Sequence, residues 1–174
     1  MKEKSVSYYL IRGELVAKRE QDGQWDRDYL FRDGRWVEDD RRVVAAHLTG
    51  FAPSEPEDSP CRFGSTEIPA EMDRISEEQA VSMMNRQILE VLKSRWKAAF
   101  AARKEEWDKK PRWPAKYVRT KFLLNGVEYS LFPTDIGLTH NNWDQGFMES
   151  VQSEISEDLE AYGATDIHSM GFID

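Results

Sequence analysis

The stretch from residue 76 to residue 110 constrains the fold most, because it contains neither glycine nor proline. Ser76 and Gln79 have the spacing of a helical capping box, and two acids follow in the first turn, where the helix dipole favours them. Pro111 then breaks the run. The sequence therefore predicts one helix over residues 77–107, on the order of 45 Å long at 1.5 Å per residue.

An apolar stripe at three- and four-residue spacing gives this predicted helix a buried face. Its members are Val81, Met84, Ile88, Val91, Leu92, Ala99 and Phe100, with Trp96 on its edge. The last third of the helix lacks the stripe, so we expect that part to project beyond the core.

Downstream of the prolines, two β-rich runs flank Asn125-Gly126, a pair typical of a two-residue hairpin turn. A second amphipathic helix follows, capped by Asn142 or Thr139 and ended by Gly163. Its apolar stripe consists of Trp143, Phe147, Val151, Ile155 and Leu159. A final strand over residues 166–173 completes a helix–β–β–helix–β half.

The first 40 residues predict an antiparallel meander, with β-rich runs over 8–16 and 29–37 and turn signals at three glycines. A short helix over residues 40–51 ends at Gly50. We therefore predict an α+β fold: an N-terminal antiparallel β-meander (1–51), a Pro-rich connecting loop (52–75), and a helix–β-hairpin–helix–β half (76–174). The whole is expected to form one compact unit.

Composition sets the class of protein. The chain has 174 residues, 40% of them hydrophobic and 32% charged, which is typical of a globular domain. Its lone cysteine, Cys61, excludes an intramolecular disulfide framework and a cysteine-cluster zinc site. No apolar run has the length of a signal peptide or a membrane span. We expect a soluble, cytoplasmic protein with no membrane partner.

Charge is distributed unevenly along the chain. Residues 1–85 carry a balance of −6, residues 86–121 carry +8, and residues 122–174 carry −10, because they contain ten acids and no Lys or Arg. The net charge of −8 argues against a general nucleic-acid binder. The basic stretch over residues 86–121 leaves nucleic-acid binding open as a function of that part of the chain.

Catalytic and cofactor signatures are weak. A nucleophile would have to be Cys61, paired with His47, His140 or His168, and no family signature surrounds it. The best metal-ligand pair, His140 with Asp144, fits turn and capping chemistry better. No glycine pattern predicts a phosphate-binding loop. We therefore predict no cofactor, no metal and no catalytic residue.

The segment 95–121 interleaves cations with aromatic residues, the combination that single-stranded nucleic acid binding requires. Its candidates for partner binding are Lys109, Lys110, Arg112, Trp113 and Lys116. The favoured alternative is that the basic segment pairs with the acidic helix around residues 149–160, within one chain or in a homodimer.

From these observations we expect a non-enzymatic binding or regulatory module that acts on another protein. The first alternative is a nucleic-acid-associated protein using residues 95–121. The second is an enzyme whose site is assembled from residues distant in the sequence.

Overall fold

The computed structural model describes residues 4–51, 64, 67–107, 114–138 and 143–173, with the backbone alone for 104–107, 114–118, 143–145 and 170–173. The fold is α+β, as predicted, with an antiparallel sheet at the N-terminus followed by helices and a second sheet. The chain divides into two compact units, residues 1–84 and 85–174. No helix in the described part of the chain combines the length and apolarity needed to cross a bilayer.

The first sheet confirms the predicted meander. Its strands are β1 (Ser5–Ile11), β2 (Leu15–Asp22), β3 (Trp25–Arg32), β4 (Arg35–Glu38) and β5 (Met72–Ile75). All neighbours are antiparallel, in the order β4-β3-β2-β1-β5. Gly13, Gly23 and Gly34 lie in the three turns with positive φ, which glycine adopts at low cost.

β5 is a strand that the sequence did not predict. It lies in the last part of the 52–75 segment, after the one-turn helix α2 (Glu67–Ala70), and it pairs with residues 8–11 of β1. Its sequence, MDRI, is too short and too polar to produce a strand signal. The predicted loop residues 52–63 lie outside the described part of the chain, and the proposed division into halves stays a prediction.

One face of the first sheet packs against α1 (Val43–Thr49), which ends at Gly50 as predicted. The buried cluster there is Ile11, Ala17, Leu30 and Val44. The opposite face also buries residues, since Val16 and Phe31 are adjacent in sequence to Ala17 and Leu30 and equally buried. Because both faces bury apolar residues, apolar and polar residues do not alternate strictly along these strands.

The long helix, α3 (Glu77–Trp107), has the predicted bounds, and the boundary between the units falls within it. The capping box forms: Gln79 N–H donates to Ser76 Oγ over 3.1 Å, and Ser76 N–H donates to Gln79 Oε1 over 2.9 Å. The stripe prediction was wrong at two positions. Val91 is 57% exposed, and Trp96, predicted at the edge, is fully buried.

The second sheet is built on β6 (Pro114–Leu124), which pairs with β7 (Val127–Leu131), β8 (Trp143–Asp144) and β9 (Thr165–Ile173). The predicted hairpin is confirmed, because Leu124 pairs with Val127 across Asn125-Gly126 and both turn residues have positive φ.

The second predicted helix is α4 (Gln145–Ala161), and it buries Phe147, Val151, Ile155 and Leu159. Trp143 was wrongly placed on this helix, since it belongs to β8. The proposed caps, Thr139 and Asn142, lie outside the described residues.

Candidate functional site

The predicted partner-binding residues fall mostly where the structure gives no description. Lys109, Lys110, Arg112 and Trp113 lie outside the described residues, and Lys116 is described only as a backbone position on β6. Their role as a binding cluster stays a prediction.

Two aromatic side chains of the basic segment are described, those of Trp96 and Phe100, and neither offers a face for stacking. Trp96 and Phe100 are buried, and Phe100 packs edge-on against Phe147 with ring centroids 6.5 Å apart. A base can stack only on an exposed ring, so neither residue suits nucleic-acid binding.

Two cations of the same segment pair with α4. Arg95 forms an ion pair with Asp158, and Arg103 forms one with Glu154. Arg103 also donates to Ser150 Oγ over 3.3 Å. These contacts pair the basic segment with the acidic helix within one chain, which is one of the two arrangements that the uneven charge distribution led us to expect.

Of the four candidates for nucleophilic chemistry, the structure describes the side chains of His47 and His168. Cys61 and His140 lie outside the described residues, and His168 is exposed on β9. His47 is buried on α1, with Nδ1 2.8 Å from the carbonyl oxygen of Val43. Among the described residues, no three His, Cys, Asp or Glu side chains come together to hold a metal ion.

The strongest candidate site lies on the sheet face opposite α1, which we call the Trp25 face. Strand register places its residues in rows: Asp22 opposite Trp25, then Val6, Glu20 and Arg27, then Tyr8, Lys18 and Tyr29, and finally Leu10, Val16, Phe31 and Trp36. The first two rows are largely exposed and the last is largely buried. The face therefore changes from open to covered along the strands.

Trp25 dominates the open end of this face. Its side chain is 78% exposed, immediately after the β2–β3 turn, and Val6 two strands away is 48% exposed. A tryptophan this exposed loses the free energy that burial of its large apolar surface would give. Trp25 and Val6 are therefore the exposed apolar residues at this end of the face.

A groove of about 480 Å³ lies beside Trp25. It is lined by Lys4, Ser5, Val6, Glu20, Gln21, Asp22, Trp25 and Arg27. Lys4 and Asp22 form an exposed ion pair over 3.2 Å, so the lining carries both signs of charge around an apolar centre. This composition fits an apolar side chain embedded in a polar segment.

The next row holds an ordered cation–aromatic cluster. Lys18 Nζ lies 4.6 Å from the ring centroid of Tyr29 and 5.0 Å from that of Trp36, and it forms an ion pair with Glu20. Trp36 also packs edge-on against Phe31. The ammonium group of Lys18 therefore contacts two aromatic rings and the carboxylate of Glu20, which lines the groove.

Tyr8 belongs to the same row and is a neutral phenol. Burial raises its pKa above the ordinary value of 10.0, and the nearby carboxylate of Glu77, 3.4 Å from the hydroxyl, raises it further. At neutral pH the hydroxyl group therefore donates a hydrogen bond and carries no charge.

Within the described chain, residues 5–7 of β1 have a strand on one side only. β5 ends at Ile75, opposite Tyr8, so residues 5–7 pair with β2 but with no other described strand. Arg12 N–H donates to Glu71 O and so points to the β5 side of β1. In an antiparallel strand the backbone groups of successive residues point alternately to the two sides, and Val6 lies an even number of residues from Arg12. The N–H and C=O of Val6 therefore point to the open side.

Sequence reasoning missed this site because each of its signals is weak alone. Trp25 follows an Asp-Gly turn and precedes charged residues, which is a pattern of exposure. The rows that place Trp25 on one face with Val6 and Lys18 depend on the strand register. A shift of one residue would move these side chains to opposite faces.

Comparison with known proteins adds no relative. No family model, no curated protein and no solved structure matches the chain.

Proposed function

We propose that this chain is a non-enzymatic binding or regulatory module that recognises another protein through the Trp25 face. The observation that carries the proposal is the 78% exposure of Trp25 over a groove lined by apolar and polar groups. Tryptophan is enriched at the residues that contribute most to protein–protein binding, because it buries a large area with few rotatable bonds.

The expected ligand is an extended peptide segment with one large apolar side chain. That side chain would enter the groove between Val6 and Trp25, while Lys4, Asp22 and Arg27 contact polar groups on either side. The peptide backbone can add to the open edge of β1 at Val6, where strand addition supplies main-chain hydrogen bonds.

A protein partner is favoured over nucleic acid on charge and exposure. The groove has both Lys4 and Arg27 and both Glu20 and Asp22, so it offers no net attraction for a polyanion. In the basic segment, the aromatic side chains of Trp96 and Phe100 are buried. We place this interaction in the cytoplasm, in keeping with the single cysteine.

The test is selection of peptides from a random library on the purified full chain, followed by affinity measurement with each selected peptide. We expect Trp25→Ala to weaken binding about 30-fold, the effect of losing an interfacial residue worth ~2 kcal/mol. The matched control is Phe51→Ala, which removes an aromatic residue of the same unit that is 51% exposed and does not line the groove.

Three results would contradict the proposal. One is that no peptide binds; another is that Trp25→Ala and Phe51→Ala have equal effects. The third is that the chain binds single-stranded DNA at ~50 mM salt with an affinity that falls steeply as salt rises, which would favour the nucleic-acid alternative.

A further inference from the structure

A second groove, of about 410 Å³, lies on the α1 side of the first sheet. Strands β2 and β3 and the residues that follow β4 form one wall, and α1 forms the other. Its volume falls in the range of sites that bind small molecules. Three arginines and five carboxylates line it, and the carboxylates are those of Asp26, Asp28, Glu38, Asp39 and Asp40. We call it the Asp39 groove.

One arginine of the groove is already committed to its own carboxylate. Nε and Nη2 of Arg19 donate to the two carboxylate oxygens of Asp28, each over 2.7 Å, and Nη1 of Arg19 lies 3.6 Å from Oδ2 of Asp26. This two-pronged contact between a guanidinium and a carboxylate is the strong form of the ion pair. Both oxygens of Asp28 therefore have a partner inside the chain.

Asp39 is the carboxylate that this network leaves incomplete. It follows the β3–β4 pairing by one residue, and its N–H donates to Asp28 O over 2.9 Å. Its residue is only 8% exposed, and its Oδ2 accepts from Val44 N–H over 2.8 Å. Within the described chain, Oδ1 of Asp39 is buried without a hydrogen-bond partner. A buried carboxylate oxygen without a donor lowers stability, so a ligand that donates to it would bind favourably.

We propose that the Asp39 groove binds an organic cation, whose ammonium or guanidinium group donates a hydrogen bond to the carboxylate of Asp39. Hydrogen bonds between two charged groups are about twice as strong as those between neutral groups. Glu38 and Asp40 flank Asp39 and are exposed, and neither forms an ion pair among the residues that the structure describes. They attract the cation to the groove. The small side chains of Ala45 and Thr49 leave room on the α1 wall for its alkyl stem.

The positions of the acids favour an organic cation over a metal ion. Ca²⁺ and Mg²⁺ take six or more oxygen ligands. In the described part of the chain, no three His, Cys, Asp or Glu side chains come together to hold such an ion. An ammonium or guanidinium group needs only one or two carboxylates, and its stem packs on apolar surface. Free amines and the Lys and Arg side chains of a partner protein share this chemistry.

The experiment is an NMR titration of the backbone amides of the full chain. The probes are butylamine as a free amine, N-acetyl-arginine amide and N-acetyl-lysine amide as mimics of a partner's side chains, and butanol as the uncharged control. We expect the cations, but not butanol, to shift the amides of residues 38–44 with saturation, and the affinity to fall as salt screens the attraction. Binding of butylamine alone identifies a free amine as the ligand, and binding of a capped amino acid identifies a side chain.

Asp39→Asn removes the charge but keeps an oxygen that can accept from Val44 N–H. We expect it to weaken binding of the cation about tenfold or more. The matched control is Asp33→Asn, which makes the same change at an exposed carboxylate outside the groove and should leave the affinity unchanged. Trp25→Ala should also leave it unchanged, because Trp25 does not line this groove. The two proposals can therefore fail separately.

The proposal is overturned if no cation shifts the amides of residues 38–44, or if butanol shifts them as butylamine does. Equal effects of Asp39→Asn and Asp33→Asn would also reject it. Magnesium chloride is a further probe, and binding of Mg²⁺ in place of the amines would indicate a metal site instead. If Asp39→Asn does not fold, the wild-type titration decides: saturable shifts that all lie outside residues 38–44 reject the Asp39 groove.

Discussion

The indole Nε1–H of Trp96 donates a 2.7 Å hydrogen bond to Oδ2 of Asp158, and it joins the buried face of α3 to α4. Trp96 has no exposed surface, and Asp158 also forms an ion pair with Arg95. A buried N–H that loses its acceptor cannot turn to water, so this bond contributes more to stability than a surface pair does.

Asp158→Ala should therefore lower the free energy of unfolding by about 1–3 kcal/mol, the cost of an unsatisfied buried donor. The control is Glu157→Ala, one residue earlier on the exposed side of α4, for which we expect a change within about 0.5 kcal/mol. Urea unfolding measures both. Equal effects of the two changes would mean that the Trp96 hydrogen bond does not stabilise the protein.

Asn85 connects α3 to the β6–β7 hairpin. It is fully buried, its Nδ2 donates to Leu124 O over 2.9 Å, and its Oδ1 accepts from Asn125 Nδ2 over 2.7 Å. Asn85→Leu leaves the buried Leu124 carbonyl without this donor, so we expect a loss of about 1–3 kcal/mol. Faster amide exchange in residues 120–131 should accompany it. The control is Arg86→Leu, at the exposed neighbouring position. If Asn85→Leu is as stable as this control, the two hydrogen bonds of Asn85 are dispensable.

The capping box at the start of α3 gives a prediction with opposite signs at two serines. Ser76→Ala removes the hydroxyl that accepts from Gln79 N–H and should destabilise the protein by about 1 kcal/mol. Ser82→Ala, at an exposed position inside the same helix, should be neutral or stabilising by a few tenths of a kcal/mol, because alanine has the higher helix propensity. Thermal unfolding distinguishes the two, and destabilisation by both changes would argue against a cap effect.

Glu71 provides a pH dependence. Its hydrogen bond from Arg12 Nε, 2.8 Å long, lowers the pKa of the carboxyl group below its ordinary value of 4.5. A carboxyl group with a lower pKa in the folded state stabilises the protein fully above pH 4.5, and this contribution disappears as the pH falls through the folded-state pKa.

Glu71→Gln should accordingly be less stable than the wild type at neutral pH, with the difference disappearing in acid. Denaturant midpoints of both proteins, measured at intervals from about pH 7 to about pH 3, test this. A difference that stays constant over the whole range would mean that the charge of Glu71 contributes nothing.

Local sequence signals determined the elements that depend on nearby residues. The bounds of α3 follow from a capping serine, an uninterrupted helical run and Pro111, all of which act within a few residues. The β6–β7 hairpin follows from Asn125-Gly126, since both positions need positive φ. The uneven distribution of charge along the sequence likewise predicted that cations such as Arg95 and Arg103 pair with α4.

Tertiary structure alone decided which faces are buried and which strands pair. Val91 and Trp96 both fit an apolar stripe, but one is exposed and the other fully buried, because burial depends on what packs against each face. β5 exists as a strand because β1 supplies its hydrogen-bonding partner. Its four residues, which are rich in polar side chains, do not predict that pairing by themselves. The Trp25 face arises in the same way. Strand register and strand order bring together residues that are distant in the chain, and neither can be derived from the spacing of residues along it.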